Sequence, residues 1–255
     1  MSGNEYVRQI LAKYRVPRGE ASITEKTARE IYPIVKKWAG EHLNAISLSG
    51  SYAKGTAVGT GTDVDLFISI KSSVPVTLSK LYNSLFRLVS SRGWNARRQN
   101  VSVGVTVSGV KVDLVPGRVQ SGYRNYHSLY RSKTDSWTQT NVALHIDKIK
   151  ASGRKLEIQA LKIWRDLRGL DFPSLYLELV VLKALHNLSS SPDKLARNVL
   201  KCLEFIQDSI SSARIVDPAN SNNVLSDELN TFQKNQLALA AKKSLNEEYW
   251  ESIIW

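Results

Sequence analysis

The 255-residue sequence predicts an α+β fold, in which a mixed sheet with helices packs against a helical lobe and an active-site cleft lies between them. Alternation of apolar and polar residues, which is typical of strands, is confined to residues 45–115. From about Thr140 onward, apolar residues recur at three- and four-residue spacing, which is typical of amphipathic helices. We therefore predict two lobes, residues 1–135 and residues 136–255.

The first lobe begins with helix and continues with strands. Residues 5–43 are predicted to be helical, and Ser22 or Thr24 can cap a helix within them. Residues 78–89 form a further amphipathic helix. Five segments have the strand pattern and predict a five-stranded mixed sheet: residues 45–49, 64–70, 95–99, 101–107 and 110–115.

The second lobe is predicted to contain helices only. We find no internal repeat of the kind that marks a solenoid. Five segments have the helical pattern: residues 145–150, 156–167, 175–188, 195–210 and 225–239.

The composition is that of a globular protein with a strong excess of positive charge. Thirty-five Lys and Arg residues against 23 Asp and Glu give a formal net charge of +12. This excess favours nucleic acid, nucleotides or an anionic membrane as partners, although a basic surface can also serve solubility alone. No apolar run approaches the ~20 residues of a membrane span, and the N-terminus lacks a signal-peptide pattern. The single cysteine, Cys202, lies in a helical apolar pattern, so we expect a buried thiol and a reducing, cytoplasmic environment.

Three aspartates predict a metal site. Asp63 and Asp65 are two residues apart on a predicted strand, so both side chains point to the same face. Carboxylates that close raise each other's pKa unless a cation lies between them, and a hard divalent ion prefers oxygen ligands. Asp113 interrupts an apolar strand pattern and can supply a third carboxylate to a two-metal site. Taken singly, Asp63 and Asp65 could instead be turn-end residues after Gly59 and Gly61, and Asp113 could pair with an arginine.

A Gly-Ser pair, Gly50 and Ser51, directly follows the first strand candidate and opens a short helix. Glycine lets the backbone approach a phosphate, while a serine hydroxyl and the free N–H groups at a helix start can bind it. The pair carries little information alone. It becomes specific because the Asp-x-Asp pair follows 13 residues after Gly50, in a strand.

This combination resembles the catalytic signature of the polymerase-β-like nucleotidyltransferases. Within that superfamily, Ser49–Thr56 is similar to the branch that unites oligoadenylate synthetases, bacterial cGAS/DncV-like nucleotidyltransferases (CD-NTases) and archaeal-type CCA-adding enzymes. The resemblance extends over about residues 25–240. Further similar segments are Leu161–Trp164, Phe172–Ser174, Leu177–Leu179, Val216–Asn220 and Asn222–Val224.

The resemblance implies roles for the motif residues. Asp63 and Asp65 would bind two Mg²⁺ or Mn²⁺ ions, and Asp113 would be the third ligand and help to activate the attacking hydroxyl. Gly50 and Ser51 would bind the triphosphate.

Two residues of the helical lobe are assigned to nucleotide binding by the same resemblance, namely Lys162 and Ser174. The residues alone leave two environments open for Lys162. A lysine inside the apolar run Leu161–Trp164 should point either to solvent or to an anion in the cleft.

The implied activity is synthesis of a cyclic or linear oligonucleotide second messenger from NTPs, as in antiviral signalling. The resemblance assigns residues 1–135 to catalysis and residues 136–255 to nucleotide and substrate binding. The alternative enzymatic interpretation is addition of nucleotides to an RNA or tRNA 3′ end. The non-enzymatic alternatives are a nucleic-acid-binding module without catalysis and a nucleotide sensor without turnover.

A basic surface could bind a nucleic-acid activator or an RNA substrate. Trp137 could stack on a base in the cleft, although packing is the commoner role of a tryptophan. The basic residues that could follow a phosphate backbone are Arg97, Arg98, Lys148, Lys150, Arg154 and Lys155.

Overall fold

The computed structural model describes residues 1–59, 63–123 and 125–255, and it divides the chain into two compact units. The sheet unit comprises Pro17–Lys54 and Thr62–Ile146, and the helical unit comprises Met1–Val16, Gly55–Gly61 and Asp147–Trp255. The predicted α+β class is confirmed. The units differ from the segments 1–135 and 136–255 because the N-terminal helix packs in the helical core through Val7 and Ile10.

The sheet unit is built on a seven-stranded mixed sheet, whereas the sequence pattern predicts five strands. In the sheet, β2 pairs with β1 and β5, β4 lies between β5 and β3, and β6 pairs with β5 and β7. The two additional strands, β6 and β7, have too little apolar alternation to be recognised. The strands are β1 (Leu43–Leu48), β2 (Val64–Ile70), β3 (Arg97–Arg98), β4 (Val103–Val107), β5 (Val110–Val119), β6 (His127–Arg131) and β7 (Ser136–Thr140).

Helices α2 and α4 cover one face of this sheet, and Asp65 lies on the other face. On β2, Leu66 and Ile68 pack in one core with residues of the helices α2 and α4, such as Ile31 and Leu85. Because side chains alternate along a strand, Asp65 points to the opposite face. The helices numbered up to α4 are α1 (Gly3–Lys13), α2 (Ile23–Ala39), α3 (Gly50–Lys54) and α4 (Leu78–Ser90).

The N-terminal end of α2 resolves one alternative left by the sequence. Ser22 is the N-cap, and its hydroxyl accepts a hydrogen bond from the backbone N–H of Glu25. Thr24 lies inside the first turn and is buried. The predicted helix over residues 5–43 is therefore two helices, α1 and α2, separated by the segment 14–22, which contains Pro17 and Gly19.

The helical unit has a separate core. Cys202 is fully buried there, as predicted, and burial raises the pKa of its thiol. The indole N–H of Trp164 donates to the Ser244 hydroxyl at 2.9 Å. Within the described ranges no helix is both long enough and apolar enough to cross a bilayer. The remaining elements are α5 (Val142–Ala151), α6 (Lys155–Leu167), α7 (Ser174–Ala184), α8 (Leu195–Ser209), β8 (Val216–Asp217), β9 (Asn220–Val224), α9 (Thr231–Leu245) and α10 (Trp250–Ile253).

Candidate active site

Asp65 and Asp113 lie side by side on neighbouring strands. The parallel strands β2 and β5 pair in a register that places Asp65 directly beside Asp113. Residues paired in this way point to the same face of a sheet, and adjacent strands lie about 4.7–4.9 Å apart. Neither of these two aspartates points into the apolar core, because their neighbours Leu66 and Leu114 do so. Two of the three predicted ligands therefore lie on one polar face.

Asp63 lies close enough to influence Asp113. Burial raises the pKa of the Asp113 carboxyl, and the negative charge of Asp63 raises it further. A hydrogen bond from Gln99 and the positive charge of Arg97 act in the opposite direction. Asp113 is thus a half-buried carboxyl with a second carboxylate nearby, and a cation bound between the two would relieve their repulsion.

The carboxylates of the site are of the ligand type that divalent metal ions prefer. Mg²⁺ and Mn²⁺ prefer carboxylate oxygens, which Asp65 and Asp113 offer together, with Asp63 near Asp113. Among the residues that the structure describes, no three His, Cys, Asp or Glu side chains converge closely enough to form a ready metal cage. The cage of three aspartates and its two ions therefore stays a prediction.

Gly50 lies directly against the Asp65 carboxylate. Its φ of +57° is in the left-handed region, where glycine is favoured. A Cβ placed on Gly50 would lie 1.7 Å from the Asp65 Oδ2 atom. The backbone N–H of Ser49 also donates to the Asp65 carbonyl at 2.8 Å, so the loop is fixed to β2. Glycine is thus required here by both conformation and space, and the Gly-Ser loop adjoins an aspartate as predicted.

Tyr52 anchors the short helix that follows, which the sequence does not indicate. The Arg18 guanidinium lies 4.8 Å from the centre of the Tyr52 ring and donates to the Tyr52 carbonyl. The Tyr52 hydroxyl lies 3.3 Å from the Ser22 hydroxyl. These contacts hold Ser51 at the start of the helix, where a hydroxyl and backbone N–H groups could meet phosphate.

A pocket of about 180 Å³ opens on the same face of the sheet unit. Gly50 and Asp65 form one side, and Phe67, Leu129 and Val142 form an apolar side. The pocket combines an aspartate with an apolar wall, as sites for organic anions and their metal ions commonly do.

Lys162 occupies an environment that the sequence does not anticipate. It is buried in the helical unit, and its Nζ atom lies 2.7 Å from Oε1 of Glu178, which is also buried. The Lys162 ammonium donates to the Thr56 hydroxyl at 3.0 Å, and that hydroxyl donates to Glu178 at 2.8 Å. The structure therefore pairs Lys162 with a carboxylate of the protein, which is neither of the two environments predicted from the sequence. Its role in phosphate binding stays a prediction.

A sequence signal for the Lys162–Glu178 pair does exist. Glu178 interrupts the apolar run of α7 just as Lys162 interrupts that of α6. Two opposite charges in apolar helical runs need partners, so each could have been assigned to the other. Ser174, at the start of α7, accepts a hydrogen bond from Arg165 at 3.2 Å, and its assignment to nucleotide binding likewise stays a prediction.

Trp137 lies on the wrong face of the sheet to stack on a base beside Asp65. It pairs with Tyr130 across β6 and β7, so the two side chains share a face. The Tyr130 ring lies 5.5 Å from that of Tyr82 on α4. Trp137 is therefore on the α4 side, opposite Asp65, and the suggested role in the cleft is wrong.

The predicted basic clusters separate into different environments. Arg97 is close enough to Asp113 to lower its pKa, whereas Arg98 lies over Phe86 on the α4 side. Arg154 is buried, pairs with Glu157 at 3.2 Å and donates to the carbonyls of Leu185 and Ser189, which follow α7. Lys148, Lys150 and Lys155 are exposed.

Comparison with known proteins supports the resemblance. The chain is 28% identical over 199 residues to the cyclic AMP-AMP-AMP synthase of Escherichia coli (strain MS 115-1). This match covers 69% of the chain and spans 62% of the relative's length. No protein-family model matches the chain.

Solved structures establish the fold. The E. coli MS115-1 CdnC structure with ATP superposes with a TM-score of 0.77 at 22% identity, covering 98% of this chain and 96% of that one. The CD-NTase CdnG of Bradyrhizobium diazoefficiens in complex with GTP superposes with a TM-score of 0.74 at 14% identity, covering 94% and 89%. The predicted resemblance to the CD-NTases is thus confirmed, and the chain has their fold.

Proposed function

We propose that the protein is a metal-dependent nucleotidyltransferase that joins NTPs into a cyclic or linear oligonucleotide. The observation that carries the proposal is the pairing of Asp65 with Asp113 on one face of the sheet, with Gly50 packed against the Asp65 carboxylate. This arrangement occurs in a chain with the fold of the CD-NTases. A sensor or binding module without catalysis would gain nothing from placing carboxylates beside a phosphate-binding loop.

In the proposed reaction, a hydroxyl oxygen of one nucleotide attacks the α-phosphorus of another, and the bond to pyrophosphate breaks. Asp63, Asp65 and Asp113 would hold two Mg²⁺ or Mn²⁺ ions. When bound, such ions neutralise phosphate charge and lower the pKa of the attacking hydroxyl. Asp113, as the third ligand, would help to activate the attacking hydroxyl, whose proton leaves to a carboxylate or to water.

The other residues would bind and orient the triphosphate. Gly50 lets the backbone approach a phosphate close to Asp65, and Ser51 would donate its hydroxyl. Lys162 and Ser174 of the helical unit would contribute further phosphate contacts. For Lys162 this requires that phosphate share or replace the Glu178 carboxylate as its partner. Positioning of this kind supplies most of the catalysis in phosphoryl transfer.

We further propose ATP as a substrate and the cytoplasm as the location. Support for ATP comes from the curated relative, which is named a cyclic AMP-AMP-AMP synthase, and from the CdnC structure with ATP. The net charge of +12 supports a polyanionic activator such as nucleic acid.

The decisive experiment incubates the pure protein with each labelled NTP and all four together, with Mg²⁺ or Mn²⁺, and identifies products by mass. DNA, RNA and tRNA are added in parallel reactions. We expect small, nuclease-resistant products that contain AMP. Asp65→Asn and Asp113→Asn should remove product without unfolding the protein, because removing one of several crowded negative charges does not destabilise the metal-free site. Asp208→Asn, on the exposed side of α8, is the control.

The net charge of +12 also suits the alternative function, addition of nucleotides to an RNA 3′ end. That alternative requires label on the tRNA 3′ end. It also requires a rate at sub-saturating RNA that falls steeply with salt: the slope of log rate against log salt concentration should be about −1 per phosphate contact. Labelled tRNA without any small product would refute oligonucleotide synthesis and support RNA 3′-end addition. Normal product from Asp65→Asn or Asp113→Asn would remove that residue from the catalytic site.

A further inference from the structure

The side chain of Gln99 contacts Asp113 directly. Gln99 follows β3, and its Nε2 atom donates to Oδ1 of Asp113 at 2.8 Å. The Ser102 hydroxyl donates to the Gln99 Oε1 atom at 2.7 Å. Because a carboxylate only accepts, Asp113 must face the NH₂ end of the amide, and the Ser102 hydroxyl holds the Oε1 end in place.

The backbone of Gln99 is fixed as well. Its N–H donates to the Ser102 carbonyl at 3.0 Å, and its carbonyl accepts from the hydroxyls of Tyr82 at 2.8 Å and Ser132 at 2.6 Å. A side chain on such a constrained backbone delivers its hydrogen bond to one place. Gln99 therefore provides a rigid donor to Asp113, not a mobile surface contact.

Gly104 provides the space through which Gln99 reaches Asp113. Gly104 lies directly opposite Asp113 in the pairing of β4 with β5. A Cβ on Gly104 would lie 2.7 Å from the Gln99 Nε2 atom and 2.8 Å from the Arg97 Nε atom. Both side chains therefore cross β4 at its glycine, and any larger residue would displace them.

We propose that Gln99 is a positioning residue that holds the Asp113 carboxylate in the orientation needed for the divalent ions. This inference rests on the proposed function. The Gln99 NH₂ group occupies Oδ1, so the carboxylate cannot rotate freely and Oδ2 keeps a defined direction. An outer partner of this kind contributes to metal affinity because it fixes the ligand before the ion binds.

The test compares Gln99→Leu with Gln120→Leu. Gln120 is a matched control because it also lies in the sheet unit and donates its side-chain amide to a hydroxyl, that of Ser128, at 3.0 Å. Mn²⁺ binding is measured without nucleotide, by the loss of the free-ion spin-resonance signal, and kcat and KM for ATP are measured separately. Gln99→Leu should weaken Mn²⁺ binding about 10–100-fold and lower kcat with little change in KM, whereas Gln120→Leu should match the wild type.

A second variant protects the test against a failure to fold. Ser102→Ala keeps Gln99 and most of its backbone bonds but removes the bond that orients the amide, so a smaller loss of Mn²⁺ affinity is expected at an unchanged melting temperature. Wild-type Mn²⁺ affinity in a folded Gln99→Leu or Ser102→Ala protein would overturn the inference, as would an equal loss in Gln120→Leu.

The Mn²⁺ measurement separates this inference from the proposed function. If the wild type makes no oligonucleotide but binds Mn²⁺ in a manner that Asp113→Asn abolishes, the function fails and the role of Gln99 is still decided by Gln99→Leu. If the wild type shows no Asp113-dependent Mn²⁺ binding, the role of Gln99 in a metal site is refuted.

Discussion

Replacing Gly50 with alanine should inactivate the protein while leaving most of its stability. The new Cβ would lie 1.7 Å from the Asp65 carboxylate oxygen, so loop and carboxylate must separate by about 1.7 Å to reach the 3.4 Å of ordinary contact. Displacement of a reacting group by about 1 Å can reduce a rate by roughly 100-fold. The positive φ adds backbone strain of about 1–2 kcal/mol. We therefore expect Gly50→Ala to lose at least about 100-fold in nucleotide incorporation.

Gly93→Ala is the matched control for this prediction. Gly93 has a φ of +72°, also in the left-handed region, but a Cβ there meets nothing within 4 Å. Both variants should lose the stability that the positive φ costs in urea unfolding, with a larger loss in Gly50→Ala because of the overlap, and only Gly50→Ala should lose incorporation of labelled ATP. Equal activity of the two folded variants would show that Gly50 serves the turn alone, and that the contact with Asp65 has no catalytic consequence.

Two further predictions concern buried polar groups. Lys162→Ala and Glu178→Ala should each destabilise the protein by about 3–5 kcal/mol, because each removes the 2.7 Å ion-pair partner of a buried charge, while the double variant Lys162→Met, Glu178→Leu should recover most of the loss. If Lys162 binds phosphate, the folded double variant should also lose ATP-induced thermal stabilisation; single variants as stable as the wild type would contradict the first expectation. Burial lowers the pKa of His127 from its ordinary 6.5, so the unfolded chain binds the proton first and stability should fall as pH drops below about 6.5. As the pH is lowered from 7.5 to 5.5, the urea midpoint should fall less in His127→Gln than in the wild type. In His186→Gln, an exposed control, the midpoint should fall as much as in the wild type.

The sequence predicts those parts of the site that depend on local pattern. The period of two along a strand predicts Asp63 and Asp65 on one face; the structure places Asp65 on β2 and Asp63 directly before it. The position of Gly50 after a strand likewise predicts a backbone turn close to that face. Neither pattern contains the pairing of β2 with β5, because strands far apart in sequence can pair in many registers. The metal-site hypothesis therefore predicts Asp113 on a strand adjacent to Asp65, but only the fold supplies the register that pairs the two residues.

Side-chain partners across elements are harder to predict. The sequence pattern places Lys162 toward solvent or an anion, and the structure pairs it with Glu178 on the next helix. Trp137 is a candidate for base stacking only while its strand is unrecognised, because strand register alone determines its face. For both residues the local pattern is correctly described, but the deciding contact comes from another element.

Two glycines explain how an acidic site forms within a sheet. Asp65 is approached by the loop because Gly50 has no side chain, and Asp113 is reached by Gln99 because Gly104 has none. Each aspartate thus receives a defined neighbour at a position where any other residue would exclude it. With larger residues at these two positions, the sheet could still carry both carboxylates, but the Gly50 backbone and the Gln99 amide could not reach them. The arrangement of the site therefore depends on the two missing side chains as well as on the aspartates, and Gly50, Gly104, Asp65 and Asp113 all lie in the sheet unit.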